Sequence, residues 1–108
     1  MPVTVRLTDD ATRDLEEIFD YVSRQDAPSR AEHVLDRIEE AFQALSAFPQ
    51  RGSYPRELLD LGVREYREVL FKPYRIIYRV LEDGIYVMVI ANGRRDMRAL
   101  LQRRLLRV

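Results

Sequence analysis

The sequence has no cysteine among its 108 residues, only one histidine, and no excess of charge of either sign. Without cysteine it can form no disulfide, no thiolate metal site and no cysteine nucleophile. The single histidine, His33, cannot make a metal site alone, and we expect neither metal nor cofactor. Basic and acidic residues number 18 each, which argues against a protein that binds phosphates mainly through a large positive charge.

Long apolar runs are also absent. No stretch approaches the roughly 20 apolar residues that cross a membrane, and the opening MPVTVRLTDD lacks the apolar core of a signal peptide. These features predict a cytoplasmic protein of bacterial type that has no membrane partner. The length fits one domain over residues 1–108 with one modest hydrophobic core.

Two amphipathic helices are predicted in the first half of the chain. Apolar residues recur at helical spacing over residues 9–24, and Thr8 is placed to cap this first helix. Pro28 suits the first turn of a second helix, where Ser29 and Glu32 have the form of a capping box. The short link between the two helices predicts that they pair as an antiparallel hairpin.

The remaining elements are predicted to be mainly strands. The expected strands are Val3–Leu7, Val63–Phe71, Tyr74–Leu81 and Ile85–Asn92, with a short turn at Arg56–Leu59 and a last helix at Met97–Leu106. The order β-α-α-β-β-β-α predicts an α+β domain. Its antiparallel sheet packs on the N-terminal helical hairpin, and a short C-terminal helix follows.

Strict alternation along the last two strands predicts one apolar face toward the helical hairpin and a second face of mixed character. The second face combines arginines with large apolar side chains, and the last helix is expected to cover only part of it. An exposed apolar patch of this kind usually marks an interface. The patch is formed by Ile77, Leu81, Tyr86, Met88 and Ile90, with Leu100 and Leu101 of the last helix beside it.

Several ordered stretches together resemble the RelE/ParE superfamily of toxins, the toxin halves of type II toxin–antitoxin systems. These stretches are TDDATRDLEEIFDYV, FPQRG, and GVREYREVLFKPYRIIYRV followed by GRRD. The resemblance covers nearly the whole chain. It implies neutralisation by a cognate antitoxin protein, in a toxin–antitoxin hetero-oligomer, and a role in growth inhibition and plasmid stabilisation. We expect the antitoxin to cover the apolar patch and to meet the last helix.

The superfamily implies two alternative activities. RelE-like members cut messenger RNA on the ribosome without a metal, using the RNA 2′-hydroxyl as nucleophile. That reaction needs a proton acceptor, cations for the phosphate and an acid for the leaving oxygen. ParE-like members share the fold but lack this catalytic set, and they poison DNA gyrase and so block replication.

Carried over residue by residue, the nuclease set is incomplete. Its basic positions fall on Arg67, Arg75 and Arg95. Val69 stands where a further basic residue is expected, and Leu101 lies nearest to the missing tyrosine or histidine. The sequence therefore favours gyrase as the target and leaves the ribosome-dependent mRNA endonuclease, with ribosome and mRNA as partners, as the alternative. Arg75 and Arg79 could also be salt-bridge partners on a solvated sheet face.

Overall fold

A computed structural model describes residues 2–106 of the chain. Its strands are β1 (Val5–Leu7), β2 (Arg67–Phe71), β3 (Tyr74–Leu81) and β4 (Gly84–Asn92). Its α-helices are α1 (Asp9–Gln25), α2 (Pro28–Ala47), α3 (Arg56–Leu59) and α4 (Met97–Leu101), and a π-helix over Gln102–Leu106 continues α4. Among the described residues, no helix is both long enough and apolar enough to span a membrane.

The helices largely follow the predictions. The Thr8 side chain accepts a hydrogen bond from the Ala11 amide at 3.1 Å and so caps α1. The second helix begins at Pro28, as expected, but the predicted capping box is wrong. Ala27 precedes the helix and no side chain caps it, because Ser29 already lies inside the first turn, where its hydroxyl is past the cap position.

The sheet has the strand order β1-β4-β3-β2. Strands β2, β3 and β4 form an antiparallel meander, but β1 runs parallel to β4. The α+β prediction is confirmed, whereas the purely antiparallel sheet is wrong. Strand β1 has only three residues, and so short a sequence does not indicate whether the strand pairs in a parallel or an antiparallel direction. A parallel pair needs a long connection, and the whole chain from α1 to β3 supplies one.

Local features also differ from the predictions. Strand β1 begins at Val5 and not at Val3. Strand β2 begins at Arg67 and not at Val63. In addition, the register of β3 and β4 slips, because Ile77 faces Val89 while Tyr78 faces Val87, so Met88 is an extra residue in a β-bulge. Strict alternation therefore fails after this residue, and the side chains that follow it exchange faces.

The sheet separates two hydrophobic cores. The hairpin core lies under α1 and α2, and the C-terminal core lies under α3 and α4 on the other face. Members of the hairpin core are Ala11, Val34, Ile38, Leu45, Tyr74, Ile76, Tyr78, Ile85, Val87 and Ile90. Members of the C-terminal core are Leu58, Tyr66, Ile77, Val89, Ala91, Met97, Leu100 and Leu101.

Candidate functional site

Arg75 of β3 is held by two carboxylates on the face of the C-terminal core. Its two Nη atoms donate to the Glu57 carboxylate of α3 at 2.8 and 2.7 Å, and its Nε donates to Glu68 of β2 at 2.7 Å. Hydrogen bonding from Arg75 lowers the pKa of Glu57 to about 2, and the same bonds raise the pKa of Arg75. This ion-pair cluster ties α3 to the sheet. The salt bridge expected for Arg75 is therefore present, but the expected solvated setting is wrong, because the Arg75 side chain is only 15% exposed.

Arg79 lies on the same face of β3 but in a wetter setting. Its guanidinium approaches Glu65 at 3.5 Å, and the two side chains are 38% and 61% exposed. The salt bridge expected for Arg79 is therefore present, although its exposure makes it a weak one.

Arg67 of β2 is on the opposite face of the sheet. It pairs with Tyr78 in the register of β2 and β3, and directly paired residues share a face. Its Nη1 donates to the Gly52 carbonyl at 2.8 Å and its Nη2 donates to the Tyr54 hydroxyl at 3.2 Å. The guanidinium also lies 4.6 Å from the centroid of the Tyr54 ring, so Arg67 fixes the loop that precedes α3.

Arg95 is exposed in the turn that follows β4. Its backbone amide donates to the Asn92 carbonyl at 3.1 Å, and with Arg94 it borders a cleft beside α1.

The three arginines that match the nuclease pattern thus do not all lie on one face of the sheet. Arg67 and Arg75 lie on opposite faces of the sheet, and the Arg75 charge is already neutralised by two carboxylates. Leu101, the position nearest to the expected acid, is fully buried. Stabilising the charge of a phosphoryl transition state requires cations that converge on one point. The arrangement does not supply such a point.

The structure divides the predicted antitoxin-binding residues into two sets. Ile77, Ile90, Leu100 and Leu101 are at most 3% exposed, so they pack inside the chain and offer no surface. Leu81 is exposed, and Tyr86 and Met88 are partly exposed. The expectation that Ile77 and Ile90 belong to the exposed patch is wrong. The bulge at Met88 turns Ile90 into the hairpin core, and Ile77 is buried in the C-terminal core under α3 and α4.

A cleft of about 690 Å³ runs between α1 and the end of β4. This volume is within the roughly 300–1,000 Å³ that is typical of ligand sites. Tyr74 of β3 lies in its lining, and burial raises the pKa of this phenol. The other lining residues are Asp14, Glu17, Ile18, Asp20, Tyr21, Arg24, Ile90, Ala91, Asn92, Arg94 and Arg95.

One polar contact next to this cleft was not predicted from the sequence. Asp14 of α1 accepts two hydrogen bonds of 3.0 Å from Arg104 of the π-helix and one of 3.0 Å from the Ile90 amide. Arg104 also donates to the Met88 carbonyl at 2.9 Å. The sequence offers one hint only, since Asp14 interrupts the apolar stripe of α1 between Ala11 and Leu15.

The described part of the chain, residues 2–106, contains no group of three or more histidine, cysteine or acidic residues placed to hold a metal ion. His33 is an exposed residue of α2.

The fold places the chain in the class of RelE/ParE-like toxin domains. It superposes with a TM-score of 0.70 on a chain of a chromosomal ParDE toxin–antitoxin system from P. aeruginosa, at 22% identity, covering 83% of this chain and 95% of that one. It also matches, with a TM-score of 0.59 and 26% identity, a chain of the RelBE2 toxin–antitoxin complex from Mycobacterium tuberculosis, covering 85% and 99% of the two chains.

Sequence comparison identifies the branch. Residues 5–97 match the family model described as the ParE toxin of the type II toxin–antitoxin system parDE. The chain is also 33% identical to Toxin ParE3 of Caulobacter vibrioides over 88 residues, which is 80% of this chain and 82% of that protein. The chain therefore belongs to the ParE toxin family, and the superfamily resemblance and the preferred branch are both confirmed.

Proposed function

We propose that this protein is a ParE-type toxin that inhibits DNA gyrase, blocks replication and is neutralised by a cognate antitoxin. Family membership supports the toxin role. The observation that carries the choice of target is that Arg67 and Arg75 lie on opposite faces of the sheet and that the Arg75 charge is already paired with Glu57 and Glu68. A protein that poisons its target by binding needs no catalytic set, whereas a nuclease does.

The ribosome-dependent endonuclease is the second candidate. It is favoured by the fold match to a chain of the RelBE2 complex and by the arginines at the three matching positions. Two contacts oppose it. The Arg75 guanidinium is already bound by Glu57 and by Glu68, so its charge is not free for a phosphate.

The antitoxin is proposed to cover the accessible part of the second sheet face. Leu81 of β3 is 41% exposed, and Tyr86 and Met88 of β4 are partly exposed beside it. The two matching structures are of a toxin–antitoxin system and a toxin–antitoxin complex, which supports a complex of this kind. The four buried members of the predicted set are Ile77, Ile90, Leu100 and Leu101. They would not contact the antitoxin directly, and their role would be to stabilise the surface that it covers.

Expression without an antitoxin tests the choice of target. We expect labelled-thymidine incorporation to stop before labelled-methionine incorporation, and purified protein to inhibit supercoiling by gyrase in vitro. Transcript ends mapped in the same cultures should show no new cuts within translated messages. The variant Arg95→Ala is compared with the parent protein to test whether any RNA cleavage depends on this arginine. Its exposed side chain can be removed without disturbing a hydrophobic core.

Site-specific cleavage of translated messages with gyrase unaffected would reverse this assignment. If Arg95→Ala abolished such cleavage, the protein would belong with the ribonucleases. The antitoxin proposal is tested separately, by co-expression with the product of the adjacent small gene and pull-down. A toxin that never retains that product, although it is folded and toxic, would contradict it.

A further inference from the structure

A second hollow lies at the corner of the sheet where β2 begins. Arg67, the first residue of β2, pairs with Tyr78, and β3 continues from there to Leu81. Among residues 2–106, no strand lies beside Arg79–Leu81 on the side where β2 pairs with the rest of β3. The result is a hollow of about 300 Å³ that side chains from both faces of the sheet line. Its volume is at the small end of the range for ligand sites.

The charged side chains that line this hollow are three arginines and one carboxylate. They are Arg64, Arg67, Arg79 and Glu65. Arg64 and Arg67 occur in none of the ion pairs found among residues 2–106, and Arg79 approaches Glu65 at 3.5 Å in an exposed pair. The lining therefore carries a net charge of about +2 at neutral pH.

The guanidinium of Arg67 is held in place by neutral acceptors. Its Nη1 donates to the Gly52 carbonyl at 2.8 Å and to the Gln50 carbonyl at 3.5 Å, and its Nη2 donates to the Tyr54 hydroxyl at 3.2 Å. These bonds fix the side chain but do not neutralise its charge. A guanidinium has five N–H donors, so within the described residues Arg67 keeps two donors, one of them at Nε, for a bound anion.

The charge pattern of the chain also favours an anion at this place. The whole chain is neutral, but acidic residues outnumber basic ones by about two to one up to Phe48, and basic residues outnumber acidic ones by almost two to one from Pro49 onward. All the residues that line the hollow belong to the second part. A hollow of one sign within a region of the same sign concentrates ions of the opposite charge.

We propose that this hollow binds a small phosphate monoester. At pH 7 a monoester carries up to two negative charges, which match the net charge of the lining, whereas a phosphodiester or a carboxylate carries one. Arginines bind phosphate oxygens through paired N–H groups, and three arginines suit the three terminal oxygens of a monoester. Val80 and Leu81 also line the hollow and would contact the organic group of the ester. The proposal goes beyond the toxin role and does not depend on gyrase being the target.

Isothermal titration calorimetry of the full-length protein with phenyl phosphate tests the proposal. We expect a Kd below about 1 mM, and binding about tenfold weaker or worse for methyl phenyl phosphate and for benzoate, which keep the ring but carry one charge. Binding should weaken below about pH 6, where the monoester takes up a proton. Backbone amide shifts in NMR spectra should cluster at residues 64–67 and 79–81.

Two double variants provide the matched comparison. Arg64→Ala with Arg79→Ala should weaken binding of phenyl phosphate about tenfold or more. Arg56→Ala with Arg103→Ala removes the same charge at exposed sites outside the hollow and should leave the Kd unchanged. Arg64→Ala alone removes one exposed side chain and should weaken binding severalfold, so the test does not rest on the contacts of Arg79.

Several results would overturn the proposal. They are no binding at about 10 mM, equal binding of methyl phenyl phosphate or benzoate, equal loss in the two double variants, or amide shifts at Arg94 and Arg95 instead of the hollow. An oligonucleotide with internal phosphates only that binds more tightly than phenyl phosphate would also overturn it, by making a nucleic acid the occupant.

Discussion

Replacing Arg75 by alanine should destabilise the domain substantially, because it leaves two carboxylates without their cation. The pKa of Glu57 falls from an ordinary 4.5 to about 2 beside Arg75. A shift of this size corresponds to roughly 3 kcal/mol at about 1.4 kcal/mol per unit. Arg75 and Glu57 are 15% and 22% exposed, so water recovers part of this, and we expect a loss of about 2–3 kcal/mol.

The loss should depend on pH in a direction that follows from the lowered pKa. A carboxyl group whose pKa is lower in the folded than in the unfolded protein stabilises the fold fully above its unfolded pKa. For Glu57 that value is 4.5, and the stabilisation disappears as the pH falls toward about 2. The difference between the parent protein and Arg75→Ala should therefore be complete at neutral pH and shrink below about pH 5.

Urea unfolding followed by circular dichroism at neutral pH and near pH 3 measures both effects. Arg79→Ala is the matched control, because Arg79 lies on the same face of the same strand but is 38% exposed and 3.5 Å from Glu65. It should cost less than about 1 kcal/mol. Equal losses for the two variants, or an undiminished Arg75→Ala loss at the lower pH, would refute the argument.

Two further substitutions test contacts elsewhere in the fold. Arg104→Ala removes charge-assisted bonds to Asp14 and the Met88 carbonyl and should cost about 1.5–3 kcal/mol in urea unfolding; the exposed neighbour Arg103→Ala should change stability by less than about 0.5 kcal/mol. Gly52→Ala would place a Cβ 2.7 Å from the Tyr78 hydroxyl, so we expect a loss of about 3 kcal/mol or more, seen as a lower melting temperature. If Arg104→Ala or Gly52→Ala were about as stable as the parent protein, the stabilising role inferred for the contacts at that position would be wrong.

Most of the fold could be predicted because its elements carry strong periodic patterns. The helical spacing of α1 and α2 and the alternation in β3 gave elements that the structure contains. The pairing of β1 could not be predicted, since three residues do not specify a direction. The bulge at Met88 was also hidden, because a bulge is set by contacts across the sheet and not by the pattern of one strand.

The candidate site was harder to predict than the fold. Arg104 and Asp14 are 90 positions apart, and no local pattern links residues at such a separation. The partners of Arg75 were also ambiguous, because an arginine on a sheet face can be a phosphate contact or half of a salt bridge. The structure decides in favour of the salt bridge, because α3 positions Glu57 next to Arg75.

Two of the motifs on which the family resemblance rests, YRIIY and FPQRG, contact each other in the fold. This contact explains why they identify the fold but not the partner. The Tyr78 hydroxyl of the YRIIY stretch accepts from the Gly52 amide and donates to the Pro49 carbonyl of FPQRG, both at 2.9 Å. Tyr78 is fully buried, and this burial raises its pKa. The two motifs therefore specify packing of a loop on the sheet. They identify the fold, whereas the choice of partner must come from exposed groups.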